Sequence, residues 1–154
     1  MKHNDMSEFE SWMAEGISVA GIKSVERLAE DASADICQRA AIRYTSDGLS
    51  LRMWEDLARP LLMFDVHTTR LSTLLVHLAG RCWFIPETSR MTKPVYGMNL
   101  RDVSALLDAC PVTLEFYVLG GDLEWLITRS DHGQYYVLGE AISEDLKSVG
   151  QYYL

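Results

Sequence analysis

The sequence predicts an α+β fold, with helices packed on one face of a four- to five-stranded antiparallel sheet. Apolar residues recur at helical spacing through most of residues 1–80, whereas alternating apolar residues and turn signals dominate residues 81–154. The chain has 154 residues, of which 48% are hydrophobic and 23% charged, as in ordinary globular proteins. We therefore expect one globular domain over residues 1–154, mainly helical to residue 80 and sheet-containing beyond it.

Two helices are predicted at the start of the chain. Ser7 followed three residues later by Glu10 forms a capping box, which opens a short helix that Gly16 would end. From Ile22, apolar residues recur at intervals of three and four, so we expect one long amphipathic helix to about Tyr44.

Two further helices are predicted before residue 81. Ser50 can cap the segment LRMWEDLARPLLMF, in which Pro60 forces a kink or an end. The segment TRLSTLLVHLAG has a leucine stripe and places Gly80 as its terminating residue.

The pattern changes to short strands after Gly80. RCWFI reads as a strand that Pro86 stops, and a brief strand is expected around Val95 and Tyr96. Asn99 is then expected to cap a helix over NLRDVSALLDAC, and Pro111 would prevent this helix from continuing.

A three-stranded antiparallel meander is predicted near the C-terminus. Residues 112–119 alternate, glycines at 120–121 permit a tight hairpin, and LEWLITR pairs back. The turn Asp131-His132-Gly133 leads to a third strand, QYYVLG, and a short helix, ISEDLKSVG, follows.

The two faces of this meander are expected to differ. Trp125 shares a face with Leu123 and Ile127, which predicts a core tryptophan. The opposite face is expected to be an exposed acidic and aromatic binding surface. Its members are Glu115, Tyr117, Glu124, Leu126 and Thr128.

The charge distribution and the cysteine content limit the classes of protein to which this chain can belong. The net charge is −8, and acidic residues concentrate in residues 1–35 and 111–154. An acidic surface disfavours nucleic acid and anionic lipid and attracts cationic proteins. Three widely spaced cysteines indicate neither a disulfide framework nor a zinc site, and from the residue pattern we expect neither a signal peptide nor a membrane span. We expect a cytoplasmic protein.

Sequence motifs for catalysis or cofactor binding are not found. The glycines do not form a nucleotide-binding loop, and no GxSxG motif occurs. Ser130, Asp131 and His132 are adjacent, so they cannot converge as a triad. His67 and His77 are ten positions apart, too far to share an ion on one helix. We therefore expect no cofactor and no metal.

The segment from about residue 50 to residue 140 resembles known proteins. The order Glu115-Phe116-Tyr117-Val118, Leu123-Glu124-Trp125-Leu126, then His132 resembles small uncharacterised bacterial proteins with an EFYIV…EWL…HH core. The upstream Trp-containing helix and the CWFIP strand are similar as well. Proteins of that family often have two adjacent histidines at this turn, whereas this chain has His132 followed by Gly133. These proteins resemble immunity proteins, which neutralise secreted bacterial toxins by binding them.

The leading interpretation is a non-enzymatic, immunity- or antitoxin-like protein that binds a cationic effector. Two alternatives stay open: a small hydrolase using Asp131, His132 and Glu124, or a small-molecule sensor with a pocket between helices and sheet. The sequence does not indicate the oligomeric state. The predicted partner-binding residues are Glu115, Tyr117, Asp122, Glu124, Asp131 and His132.

Overall fold

The computed structural model describes residues 6–49, 52–88, 93–109 and 115–154. Within these ranges the helices are α1 (Met6–Ala20), α2 (Glu30–Tyr44), α3 (Leu71–Leu75), α4 (Val103–Ala109) and α5 (Glu144–Lys147). The strands are β1 (Glu26–Arg27), β2 (Leu61–Asp65), β3 (Arg81–Pro86), β4 (Tyr96–Asn99), β5 (Phe116–Gly120), β6 (Trp125–Arg129), β7 (Gln134–Gly139) and β8 (Gln151–Tyr153). The structure confirms an α+β fold.

All eight strands of the described ranges join one open antiparallel sheet. Their order is β1-β4-β3-β5-β6-β7-β2-β8. The predicted meander is present, because β5, β6 and β7 are consecutive antiparallel neighbours. The expected number of four or five strands is not confirmed: the two-residue β1 and the three-residue β8 extend the sheet at its edges, and β2 inserts between β7 and β8.

Helices contribute to the cores on both faces of the sheet. One cluster packs residues of α1, α3, α4 and α5 against strand residues such as Phe84, Val118 and Ile127. The other packs residues of α2 against strand residues such as Ile85 and Leu119. Side chains of successive strand residues point to opposite faces, so the middle strands supply both clusters. The expected placement of helices on one face is therefore not confirmed.

The N-terminal helices differ from the predicted boundaries. α1 runs through Gly16, which is buried, and continues to Ala20; Gly21 follows with a φ of +68°. The long helix predicted from Ile22 begins only at Glu30. The preceding residues pair with β4 as a short edge strand, and this tertiary pairing overrides the helical spacing.

The predicted third helix, LRMWEDLARPLLMF, is wrong. The described part of it contains a 3-10 helix, Met53–Glu55, followed by β2. Pro60 separates the two elements, as its ring would interrupt a helix. Leu61 packs in one cluster and Leu62 in the other, and only a strand buries adjacent residues on opposite faces.

The second half follows the prediction more closely. β3, β4 and α4 occur where strand, strand and helix are expected, although a 3-10 turn, Leu100–Asp102, precedes α4. The first residues of the predicted strand 112–119 lie outside the described residues, and the described strand is β5. Trp125 is buried in the core as predicted, whereas Leu123 has a φ of +58° and belongs to the opposite cluster.

Candidate functional site

The six predicted partner-binding residues lie at two ends of the sheet. Glu115 immediately precedes β5, and the register Phe116↔Arg129 brings it to the same end as Asp131. Asp122 and Glu124 belong to the hairpin that joins β5 to β6 at the other end. The five residues of β6 alone separate the ends by roughly 13 Å. The six residues therefore fall into two groups, one at each end of β5 and β6.

Trp54 organises the end that carries Glu115, Asp131 and His132. Its indole meets the His132 ring edge-on, with centroids 5.6 Å apart and an interplanar angle of 89°. The Asp131 carboxylate lies 3.3 Å from His132 Nε2. Trp54 is buried, whereas the His132 and Asp131 side chains are 70% and 45% exposed. We call Trp54, Glu115, Asp131 and His132 the Trp54 cluster.

Glu115 is the half-buried carboxylate of the Trp54 cluster. Burial raises its pKa, and the carboxylates of Asp131 and Glu87 raise it further. The Arg52 guanidinium opposes these effects. The Trp54 indole lowers the pKa only slightly, since its buried Nε1 makes no hydrogen bond in the described structure. The ionised form of Glu115 is thus disfavoured chiefly by burial and further by the two neighbouring carboxylates, and a cation placed against the cluster would favour it.

A buried charged network lies beneath the Trp54 cluster. The Lys93 ammonium is 3.5 Å from Glu87 Oε2, and the two side chains are 0% and 2% exposed. The Tyr117 hydroxyl donates to Glu87 Oε1 at 2.5 Å. The Cys37 thiol donates to the Lys93 carbonyl oxygen at 3.8 Å. The backbone N–H of Glu87 donates to the carbonyl oxygen of Glu115 at 2.9 Å, which connects the network to the cluster above it.

Burial shifts the pKa values of Lys93 and Tyr117 in this network. It lowers the pKa of Lys93, an effect that the neighbouring Glu87 carboxylate opposes. It raises the pKa of Tyr117, and Glu87 raises that pKa further. Tyr117 thus remains a neutral donor to Glu87 over the physiological pH range.

The placement of Tyr117 corrects the predicted exposed face. Tyr117, Leu126 and Thr128 are each fully buried, because α2 and the 3-10 helix cover this side of the sheet. Tyr117 therefore supports the Trp54 cluster from below and cannot touch a partner directly. Sequence reasoning missed Trp54, Glu87 and Lys93 as parts of this end, because Glu87 and Lys93 flank an apparently ordinary polar loop.

The hairpin end holds the other two predicted residues. Asp122 is exposed, and the half-buried Glu124 packs its carboxylate against the backbone of Gly120. Glu124 Oε1 is shielded from solvent and has no hydrogen-bond partner in the described structure. A cavity of about 400 Å³ opens beside it. Arg81 also lines this cavity, but its Nη1 donates to the Ser24 carbonyl oxygen at 3.2 Å.

The arrangement does not assemble the hydrolase considered from sequence. Asp131 and His132 are neighbours at the Trp54 end, whereas Glu124 lies beyond the far end of β6. The three side chains therefore cannot act on one substrate. Across the described ranges, no group of three or more His, Cys, Asp or Glu side chains is placed to hold a metal ion.

Comparisons with known proteins return no relative. No protein-family model, no curated protein and no solved structure matches the chain. In the ranges that the structure describes, no helix combines the length and apolarity needed to cross a membrane.

Proposed function

We propose that this is a non-enzymatic, cytoplasmic binding protein that neutralises a cationic bacterial effector, in the manner of an immunity protein. The observation that supports this proposal is the Trp54 cluster. It presents an exposed imidazole and two carboxylates beside a buried tryptophan, at one end of the sheet. Aromatic residues held in place by packing, with charged residues around them, are typical of the energetic centres of protein interfaces.

Charge favours a basic partner. The protein carries a net charge of −8, and the C-terminal segment 111–154, which supplies three residues of the Trp54 cluster, contains seven acids and two bases. A field of this sign accelerates encounter with a cationic protein and opposes binding to nucleic acid. The raised pKa of Glu115 indicates that its ionised form is not fully compensated, so an incoming Lys or Arg would find an available acceptor.

The binding contribution is assigned to Glu115, Asp131 and His132, with the buried Trp54 holding the His132 ring in place. Asp131 would pair with a basic side chain of the partner, while the His132 ring would supply apolar contact. Asp122 and Glu124 lie at the other end of β5 and β6 and are not part of this surface.

The test compares two charge reversals at exposed turn residues. Asp131→Lys alters the Trp54 cluster, and Asp122→Lys makes the same change in net charge at the hairpin end. Both should fold normally, because surface substitutions change stability by only about 0.5 kcal/mol. In affinity purification from the native host, wild type and Asp122→Lys should retain one basic protein. Asp131→Lys should lose it, because a repulsive lysine then faces the partner's basic side chain.

Co-expression provides the functional readout. The captured protein, expressed alone in a bacterium, should stop growth, and co-expression with wild type or Asp122→Lys should restore it. Equal recovery of the partner by both variants would show that the surface is misplaced. Recovery of a partner that is harmless when expressed alone would refute the immunity function but retain the binding function.

A further inference from the structure

A cavity of about 620 Å³ lies on the face of the sheet opposite α2, between α3 and the start of α4. Leu75, Val76, Leu78 and Leu100 supply its apolar wall. This volume falls among small-molecule sites, which span about 300–1,000 Å³. The cavity is remote in sequence and position from the Trp54 cluster, so its occupancy is independent of the proposed function.

The two helices that line the cavity are short, and their larger side chains belong to the core. α3 has five residues and α4 has seven, and buried leucines and valine from both belong to the same core cluster. Gly80 lies between the walls with a φ of +92°, and a Cβ there would meet nothing within 4 Å. The Leu100 N–H donates to the Gly80 carbonyl oxygen at 2.9 Å, which ties the two walls together.

Polar groups sit beside the apolar wall. Ser72, Asn99, Arg101 and Ser104 line the cavity. Arg101 is exposed, and in the described part of the chain it forms no ion pair or side-chain hydrogen bond. Arg27 and Arg39, by contrast, are paired with Glu10 and Asp35. The cavity thus combines an apolar surface with a guanidinium whose donors are available to a ligand.

We propose that this cavity binds a small monocarboxylic acid with an apolar body, whose carboxylate pairs with Arg101. The guanidinium offers the forked donors that match a carboxylate, and the hydroxyls and the Asn99 amide can bind its second oxygen. An amine would meet the positive charge of Arg101 instead. Because the whole protein is anionic, an acid binds here through direct contact with Arg101 and the leucine wall, and not through long-range attraction.

The test uses three probes that share one apolar body: 4-phenylbutyrate, 4-phenylbutanamide and 4-phenylbutylamine. Each is titrated into the isotope-labelled full chain, and amide resonances are followed by NMR, which also reports on folding. The acid should shift resonances of Ala79, Gly80, Leu100 and Ser104. The amide should bind about tenfold more weakly, because it lacks the charge-assisted pair, and the amine more weakly still.

Two variants and one control variant test which residues contact the bound probe. Arg101→Gln should weaken binding of the acid about tenfold and leave binding of the amide unchanged. Arg39→Gln removes an exposed arginine from α2 on the other face and should change neither. Ala79→Phe should fill the cavity and abolish binding of all three probes while the spectrum remains that of a folded protein.

Several outcomes would overturn the proposal. Equal affinity for the three probes would mean that Arg101 takes no part, and so would unchanged affinity for the acid in Arg101→Gln. Shifts outside the cavity, or binding that persists in folded Ala79→Phe, would place the ligand elsewhere. The absence of shifts with all three probes up to their solubility limits would refute a site of this chemistry.

Discussion

Replacement of Lys93 by Met should strongly destabilise the protein. The Glu87 and Lys93 side chains are 2% and 0% exposed, so the substitution leaves a carboxylate in the interior without its ammonium partner. Removing one member of a buried ion pair costs about 3–5 kcal/mol. A chain of this size typically has a total stability of about 5–15 kcal/mol. The substitution should therefore lower the melting temperature by roughly 6–20 °C.

A second substitution should reverse this loss. Glu87→Gln in the Lys93→Met background removes the buried charge but retains an oxygen that can accept from Tyr117. Burial lowers the pKa of Lys93, which means that its charged form is disfavoured in the folded state relative to the unfolded one. Replacement of both charges should thus bring stability back to within about 1 kcal/mol of wild type, or above it.

Urea unfolding followed by circular dichroism measures these differences. Lys147→Met provides the control, because its ion pair with Glu144 is exposed and should contribute less than about 1 kcal/mol. A Lys93→Met variant within 1 kcal/mol of wild type would refute the reasoning. So would a double variant as unstable as the single one.

Two further predictions concern other parts of the core. Gly120→Ala should displace the Glu124 carboxylate and the Trp125 indole, because the added Cβ would overlap Glu124 Oε1 and lie 2.7 Å from Trp125 Nε1. Urea unfolding should show a loss of about 1–3 kcal/mol, of which Gly120→Ala/Glu124→Ala should recover only a part because the Trp125 contact remains; an undiminished stability of Gly120→Ala would contradict the clash. Cys37 and Cys82 are free and buried, and burial raises the pKa of both thiols, that of Cys82 to about 12. Both should react slowly with iodoacetamide in the native protein at pH 8 and fully in urea, and rapid native labelling at either position, read by mass spectrometry, would contradict their burial.

The second half of the fold was predictable because its signals are local. Glycine turns and alternating residues define β5, β6 and β7, and each pairs with its neighbour in sequence. β2 was not predictable in this way, since its partners are β7 and β8, far along the chain. Its leucine-rich sequence fits a helix by spacing, and only long-range pairing reveals the strand.

The candidate site was predictable in part for the same reason. Asp131 and His132 lie in a turn that the sequence marks clearly, and they emerge there as exposed residues. Tyr117 alternates with core residues along its strand, and this pattern predicted that its side chain is exposed. The prediction holds only for a sheet that has one face open to solvent. The cover supplied by α2 and Trp54 depends on tertiary packing, which no local pattern encodes.

Both faces of the middle strands are buried, so these strands do not offer a bare face to a partner. Side chains of the middle strands, such as Tyr117 and Leu126, are buried in the interior. A partner would therefore contact mainly the turns and the helices that surround the sheet. At the Trp54 end, these turns rest on the Glu87 network, through the hydrogen bond from the Glu87 N–H to Glu115. Substitutions at Asp131 or His132 should therefore alter binding at nearly constant stability. Substitutions in the Glu87 network should mainly lower stability. They should change binding only indirectly, by displacing the backbone of Glu115.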